Sequence, residues 1–259
     1  MLNPMFRRLK KEARRIAKNL PLPDFYLDFT DEIEVSCNFF KTDPLVGRLR
    51  AYVVDASEND YGHGIDHCEK VAVDAGALAY IEGLSVGLEG NVLADLIRLA
   101  QFAGLLHDIR RKNKDHASKG AVFAKKVLRD YPLSGRDSDS ICTAIYNHEA
   151  FGGYTRCLTR TDRIVSGCLY DSDKFRWGPD NFTSTVWGMV EGLGPSFETF
   201  LAHYPAGMEH IERIGSTFRT ATGRAYGPQF IDMGLFIGRE LLAYIKREIM
   251  PEGSLPPGR

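Results

Sequence analysis

VLADLIRLAQFAGLLHDIRR, residues 92–111, decides the class of this fold. Val92, Leu93, Leu96, Ile97, Ala100 and Ala103 recur at the three- and four-residue steps that put side chains on one helix face. His107 continues that face, seven residues after Ala100 and four after Ala103. Asp108 follows at about 100° around a helix axis. The pair can reach one ion lying beside the axis, each from its own side. The alternative is a helix-terminal histidine beside a solvated aspartate.

The same period extends in both directions. Cys68, Val71, Ala72, Ala75, Leu78 and Ala79 form one stripe, with His67 four before Val71. Ala117, Ala121, Ala124 and Leu128 form another. Ile141, Ala144 and Ile145 form a third, with His148 seven and four after its first two members. Leu158, Val165 and Leu169 form a further face, and the last two lead to Asp173 at +8 and +4. Beyond the irregular RWGPDNF, helical stretches are predicted near 184–203, 206–221 and 228–249. Alternating strand patterns are nearly absent, so the class is all-α, a bundle of eight or more helices.

Polar groups thus recur on the inner edges of several helices. Burying each unpaired would cost several kcal/mol, and an unpaired carboxylate more. A shared divalent cation satisfies imidazole nitrogens and carboxylate oxygens together. One buried histidine alone would more simply be a hydrogen-bonded core residue.

The 259 residues suit one large domain with helical extensions. Hydrophobic residues at 44% and charged residues at 26% are ordinary for a globular chain and argue against disorder. Lys+Arg at 33 against Asp+Glu at 34 excludes a generally basic nucleic-acid coat. No apolar run reaches the roughly 18–20 residues of a membrane span, and the start lacks the apolar segment of a secretory signal. Five cysteines, an odd number with no C-x-x-C pair, fit neither a disulfide framework nor a zinc-finger spacing. A reducing, cytoplasmic setting is expected.

Residues 1–20 hold seven basic side chains and one acidic, a net +6 that leaves −7 for the rest of a chain totalling −1. A short amphipathic helix with Leu9, Ile16 and Leu20 inward, docked on an acidic body, is predicted there. Residues 21–41 read as an irregular strap. The expected organisation is a basic helix and strap over 1–41, a single helical domain over 42–250, and a flexible Pro/Gly-rich tail over 251–259.

In order, YGHGIDHCEKV, AGLLHDIRR, DHASKGA, ICTAIYNH and LYDSDKF resemble the HD-domain (His-Asp) metal-dependent phosphohydrolases over roughly residues 61–176. A lone His-Asp pair would be weak evidence; the ordered set is strong. The resemblance implies an HD-domain helical bundle with additional N- and C-terminal helices. It implies His67, His107, Asp108 and Asp173 as ligands of one metal. His116 and His148 match the histidines that members with a second metal add, and Asp108 would bridge the two ions. The cofactor would be one or two divalent ions: Mn, Fe, Mg, Co or Zn.

Arg111 falls where many relatives carry a basic residue facing substrate phosphate, a task suited to the planar guanidinium fork. His63 is a further candidate near phosphate. Asp66 and Asp171 are candidates for orienting the histidines, and Lys174 for touching substrate or pairing with Asp171. Trp177, Asp180 and Asn181 could read a base or sugar, with Trp177 alternatively a core anchor.

The implied function is hydrolysis of a nucleotide or another small phosphate ester by a metal-activated water. Asp108 would hold or deprotonate that water, and Arg111 would offset charge on the phosphoryl group. No P-loop, GxGxxG or G-x-S-x-G is present. Two rival readings are an HD-fold diiron oxygenase using the same six ligands and a non-catalytic nucleotide sensor. The partner is a small phosphate compound, without a stable nucleic-acid or membrane partner; a homo-oligomer is left open.

Overall fold

The computed structural model describes residues 2–56 and 64–250. Among them are twelve α-helices and no strand. They are α1 (Pro4–Lys18), α2 (Asp24–Asp28), α3 (Thr30–Thr42), α4 (Pro44–Ala56), α5 (Ile65–Ser85) and α6 (Gly90–Leu106). There follow α7 (His116–Val127), α8 (Gly135–Asn147), α9 (Arg160–Phe175), α10 (Val186–Leu193), α11 (Phe197–Ile214) and α12 (Ala221–Glu248). None is long and apolar enough to cross a membrane.

Local signals set many of the starts. Capping boxes Ser134/Asp137 and Thr159/Asp162 open α8 and α9. Asn3, Ser196 and Thr220 cap α1, α11 and α12 through their side chains. The amphipathic α1 buries Phe6, Leu9, Ala13 and Ile16 against the body, with its basic face outward.

The predicted strap is not irregular: residues 21–41 hold α2 and most of α3. Phe25 explains the first of these, since its fully buried ring packs on Phe175 and Tyr226. The C-terminal boundaries also differ from the sequence reading. Pro205 and Pro228 lie inside α11 and α12 instead of opening new helices. A proline removes one donor and crowds one carbonyl, but burial on both sides holds each helix together. Tyr204 and Ile211 flank Pro205, and Gly227 and Phe230 flank Pro228. The actual breaks are at Gly194, with φ of 60°, and before Thr220.

Helices α5, α6, α8 and α9 form the core around the candidate site, with α7 packed on α8. Helices α5 and α6 touch most extensively, and Gly104 allows it. A Cβ there would lie 2.5 Å from Ala72 Cα and 2.7 Å from Ala72 N. Gly104→Ala must therefore push α6 off α5, which carry His107 and His67. We expect a loss of about 1–3 kcal/mol, read as a lowered Tm. An unchanged melt would show that the helices slide apart at no cost.

Candidate metal centre

Six side chains converge where these helices meet. His67, His107, Asp108, His116, His148 and Asp173 are all buried, between 1% and 8% exposed. They come from the first turn of α5, the end of α6, the turn after it, the start of α7, the end of α8 and the last turns of α9. Asp108 lies in a turn just past α6, not within the helix. That turn closes on Asp115, whose left-handed φ of 60° lets the chain reverse and aim His116 back at Asp108.

The six sort into two trios: His67, His107 and Asp173, and Asp108, His116 and His148. In the first, His67 Nε2 lies 3.2 Å from His107 Nε2 and 3.4 Å from Asp173 Oδ1. In the second, His116 Nε2 and His148 Nε2 each lie 3.6 Å from Asp108 Oδ1. The other oxygen of Asp108, Oδ2, lies 3.5 Å from His107 Nε2 and 4.0 Å from His67 Nε2. One carboxylate therefore faces both trios, one oxygen to each.

The donor atoms fit a divalent metal. His107 Nδ1 donates to Gly104 O at 2.8 Å, and His148 Nδ1 donates to Ile145 O at 2.6 Å. Each histidine sits just past its helix, where the last carbonyls lack intrahelical partners. The Nδ1 proton is thus fixed outward and the Nε2 lone pair inward, the tautomer that metal sites use. Burial drives the His107 pKa down to about 3, against the opposing pull of Asp108 and Asp173. Burial also lowers that of His116. Neutral imidazoles result, as ligation requires. Burial would raise the pKa of Asp173, but Lys174, His67 and His107 hold it well below the usual range. Lys174 Nζ lies 2.5 Å from Asp173 Oδ2, leaving Oδ1 to the histidines.

Other candidates fall elsewhere. Lys174 pairs with Asp173, not with Asp171. Asp171 orients no metal-facing histidine; it accepts from Arg219 N, Thr220 N and Thr220 Oγ1, anchoring α9 to the start of α12. Asp66 is exposed at the cleft wall. Trp177 packs its ring on His210, with centroids 5.1 Å apart, and lies off the cleft. His63 lies outside the described residues, as does the tail 251–259.

Arg111 is beside the second trio, donating from Nη1 to His116 Nε2 at 2.8 Å and lying 3.9 Å from Asp108 Oδ1. It points its charge at the nitrogen that a second ion would use. Its side chain is 34% exposed, so it can swing outward. Arg111→Ala should weaken phosphate-dependent catalysis by about 1.5–3 kcal/mol, the worth of a hydrogen bond to a charged group. It should also tighten binding of a second ion, by removing a competing cation. Unchanged kinetics and metal titration would return Arg111 to a surface role.

The centre opens at His67 into a cleft of about 610 Å³. Lys70, Arg176 and Asp180 line it, as do Ser184 and Thr185 from a π-helical turn, a feature often found at functional sites. Arg176 Nη1 donates to Asp180 Oδ2 at 2.7 Å, and its Nη2 donates to Tyr26 OH at 2.7 Å and to Asp74. Lys70 Nζ lies 3.0 Å from Asp180 Oδ1. The sequence reading missed Lys70 and Arg176. The available signal was spacing: each stands three residues after a candidate ligand, His67 or Asp173, on the same helix face.

Fold and donor set together define an all-α protein with a buried His/Asp centre suited to divalent metal. Residues 64–168 match the HD domain family. The match covers five of the six cluster residues and ends before Asp173. HD domains bind divalent metals and are generally metal-dependent phosphohydrolases. Comparisons with curated proteins and with solved structures gave no match.

Proposed function

We propose that the protein is a metal-dependent phosphohydrolase acting on a nucleotide or another small phosphate ester. The observation that carries this reading is Asp108, whose two oxygens face two His-rich trios with the Arg111 guanidinium alongside. His67, His107, Asp108 and Asp173 would hold one ion; His116 and His148, with Asp108, would hold a second. Ions there would polarise the phosphoryl oxygen and acidify a water.

The chain's own groups do the rest. Asp108 orients the attacking water and can take its proton. Arg111, released from His116, offsets charge on the phosphoryl oxygens. Lys70 adds positive charge at the cleft wall. Water supplies the new P–O bond, the ester P–O bond breaks, and the alcohol leaves with a proton.

The test is elemental analysis of the purified protein, followed by a phosphate-release screen over nucleotides and small esters with Mn, Mg, Co and Fe. Metal-dependent release supports the reading. Bound metal without release from any ester overturns it. Bound iron with oxygen consumption would instead support an oxygenase, and tight nucleotide binding without turnover a sensor.

A further inference from the structure

A second cavity adjoins the metal cleft. It is a groove of about 970 Å³, open on one side and lined mostly by apolar side chains, including Ile33, Phe40, Val73, Phe175, Phe230 and Met233. Helices α3 and α4, which precede the matched HD stretch, form one side; α5, α9 and α12 form the other. Its size is that of a small-molecule pocket.

Lys70, Arg176 and Asp180 line both this cavity and the metal cleft. Lys70 stands one turn beyond His67, and Arg176 one turn beyond Asp173. The wall between the spaces is therefore one helical turn from the candidate ligands. It also holds an unmet donor: Arg176 Nε is buried and has no acceptor among the described residues. A ligand oxygen or a water at the junction would satisfy it.

We infer that this cavity receives the alcohol portion of the substrate, and that the substrate is a phosphate monoester of an apolar aryl or alkyl alcohol. This rests on the phosphohydrolase reading and narrows it. A substrate with its phosphate at the metal centre would pass its alcohol portion over Lys70 and Asp180, which line both spaces. Most of the lining beyond is apolar, with Lys41, Arg50, Glu69 and Asp74 among the remainder. Arg50 and Glu69 pair with each other, and Asp74 is held by Tyr26 and Arg176, so ribose hydroxyls would compete with bonds already made, whereas an apolar body gains by leaving water. The cavity thus favours an apolar ester over a nucleotide.

Gly47 permits a direct test. It lines the cavity from α4, and a Cβ built on it meets nothing within 4 Å. Gly47→Trp should obstruct part of the cavity, while Gly47→Ala leaves it open. Two readouts are needed: fluorescence titration with 1-naphthol, and kcat/KM for 1-naphthyl phosphate relative to AMP on the Mn-loaded protein. The wild type should bind 1-naphthol saturably and prefer the naphthyl ester. Gly47→Trp should weaken binding and lower the preference by at least about tenfold, and Gly47→Ala should change neither. Unaltered naphthol affinity and ester preference in a folded Gly47→Trp protein would overturn the inference and leave the phosphohydrolase reading intact. Weakened naphthol binding with no phosphate release from either ester would keep an apolar ligand site but remove both the substrate class and the phosphohydrolase reading.

Discussion

Asp108→Ala should abolish turnover and strip the centre of metal. Its carboxylate faces both trios, with Oδ2 toward His107 and His67 and Oδ1 toward His116 and His148. Its removal leaves four imidazoles and Asp173 to hold cationic charge in a buried site. Loss of one well-placed electrostatic group costs about 10²–10³-fold in rate, and loss of the shared ligand should exceed that. Metal linkage gives a readout independent of activity. An ion present at a hundred times its Kd stabilises a folded protein by about 2.7 kcal/mol. Added Mn should therefore raise the wild-type Tm and shift that of Asp108→Ala far less. Asp108→Asn keeps the shape but not the charge, and should fall with Asp108→Ala. Full metal occupancy and turnover in either variant would remove Asp108 from the centre.

The histidines were legible because periodicity reports burial. His107 and His148 each continue an apolar stripe, and both are buried with Nε2 inward. Their tautomer was not legible, since it depends on each helix ending just before the histidine and leaving a carbonyl for Nδ1. Spacing showed that His116 follows Asp108 closely, but not that Asp115 would take a left-handed conformation and close the turn. Arg111 was read as facing phosphate; its bond to His116 arises from that same turn. The helices within 21–41 were hidden because their support is distant, as in Phe25 against Phe175 and Tyr226. The boundaries predicted near 205 and 228 failed for the same reason. Local propensity marks a break there, and long-range packing overrides it. The apolar cavity was invisible to sequence, since its sides come from helices far apart in the chain.

His148→Ala should lower a wild-type stoichiometry of nearly two ions to one and remove most of the activity. His148 Nε2 and His116 Nε2 stand equally far from Asp108 Oδ1, and the His116 and His148 ring centroids are 5.2 Å apart. Together they form a trio on the opposite side of the carboxylate from His67 and His107. Carboxylate-bridged ions about 3.5–4 Å apart clamp both the attacking and the leaving oxygen, which is why activity should fall with the second ion. Arg111 complicates the titration, because its Nη1 already occupies the His116 lone pair. The second ion must displace it, so the second binding step should be weaker than the first. Arg111→Ala should bring the two steps closer together, whereas His148→Ala should delete the second. If wild type and His148→Ala both bind one ion and are equally active, Arg111 is the resident cation of the second trio. His148 would then support the site through packing and its Ile145 bond alone.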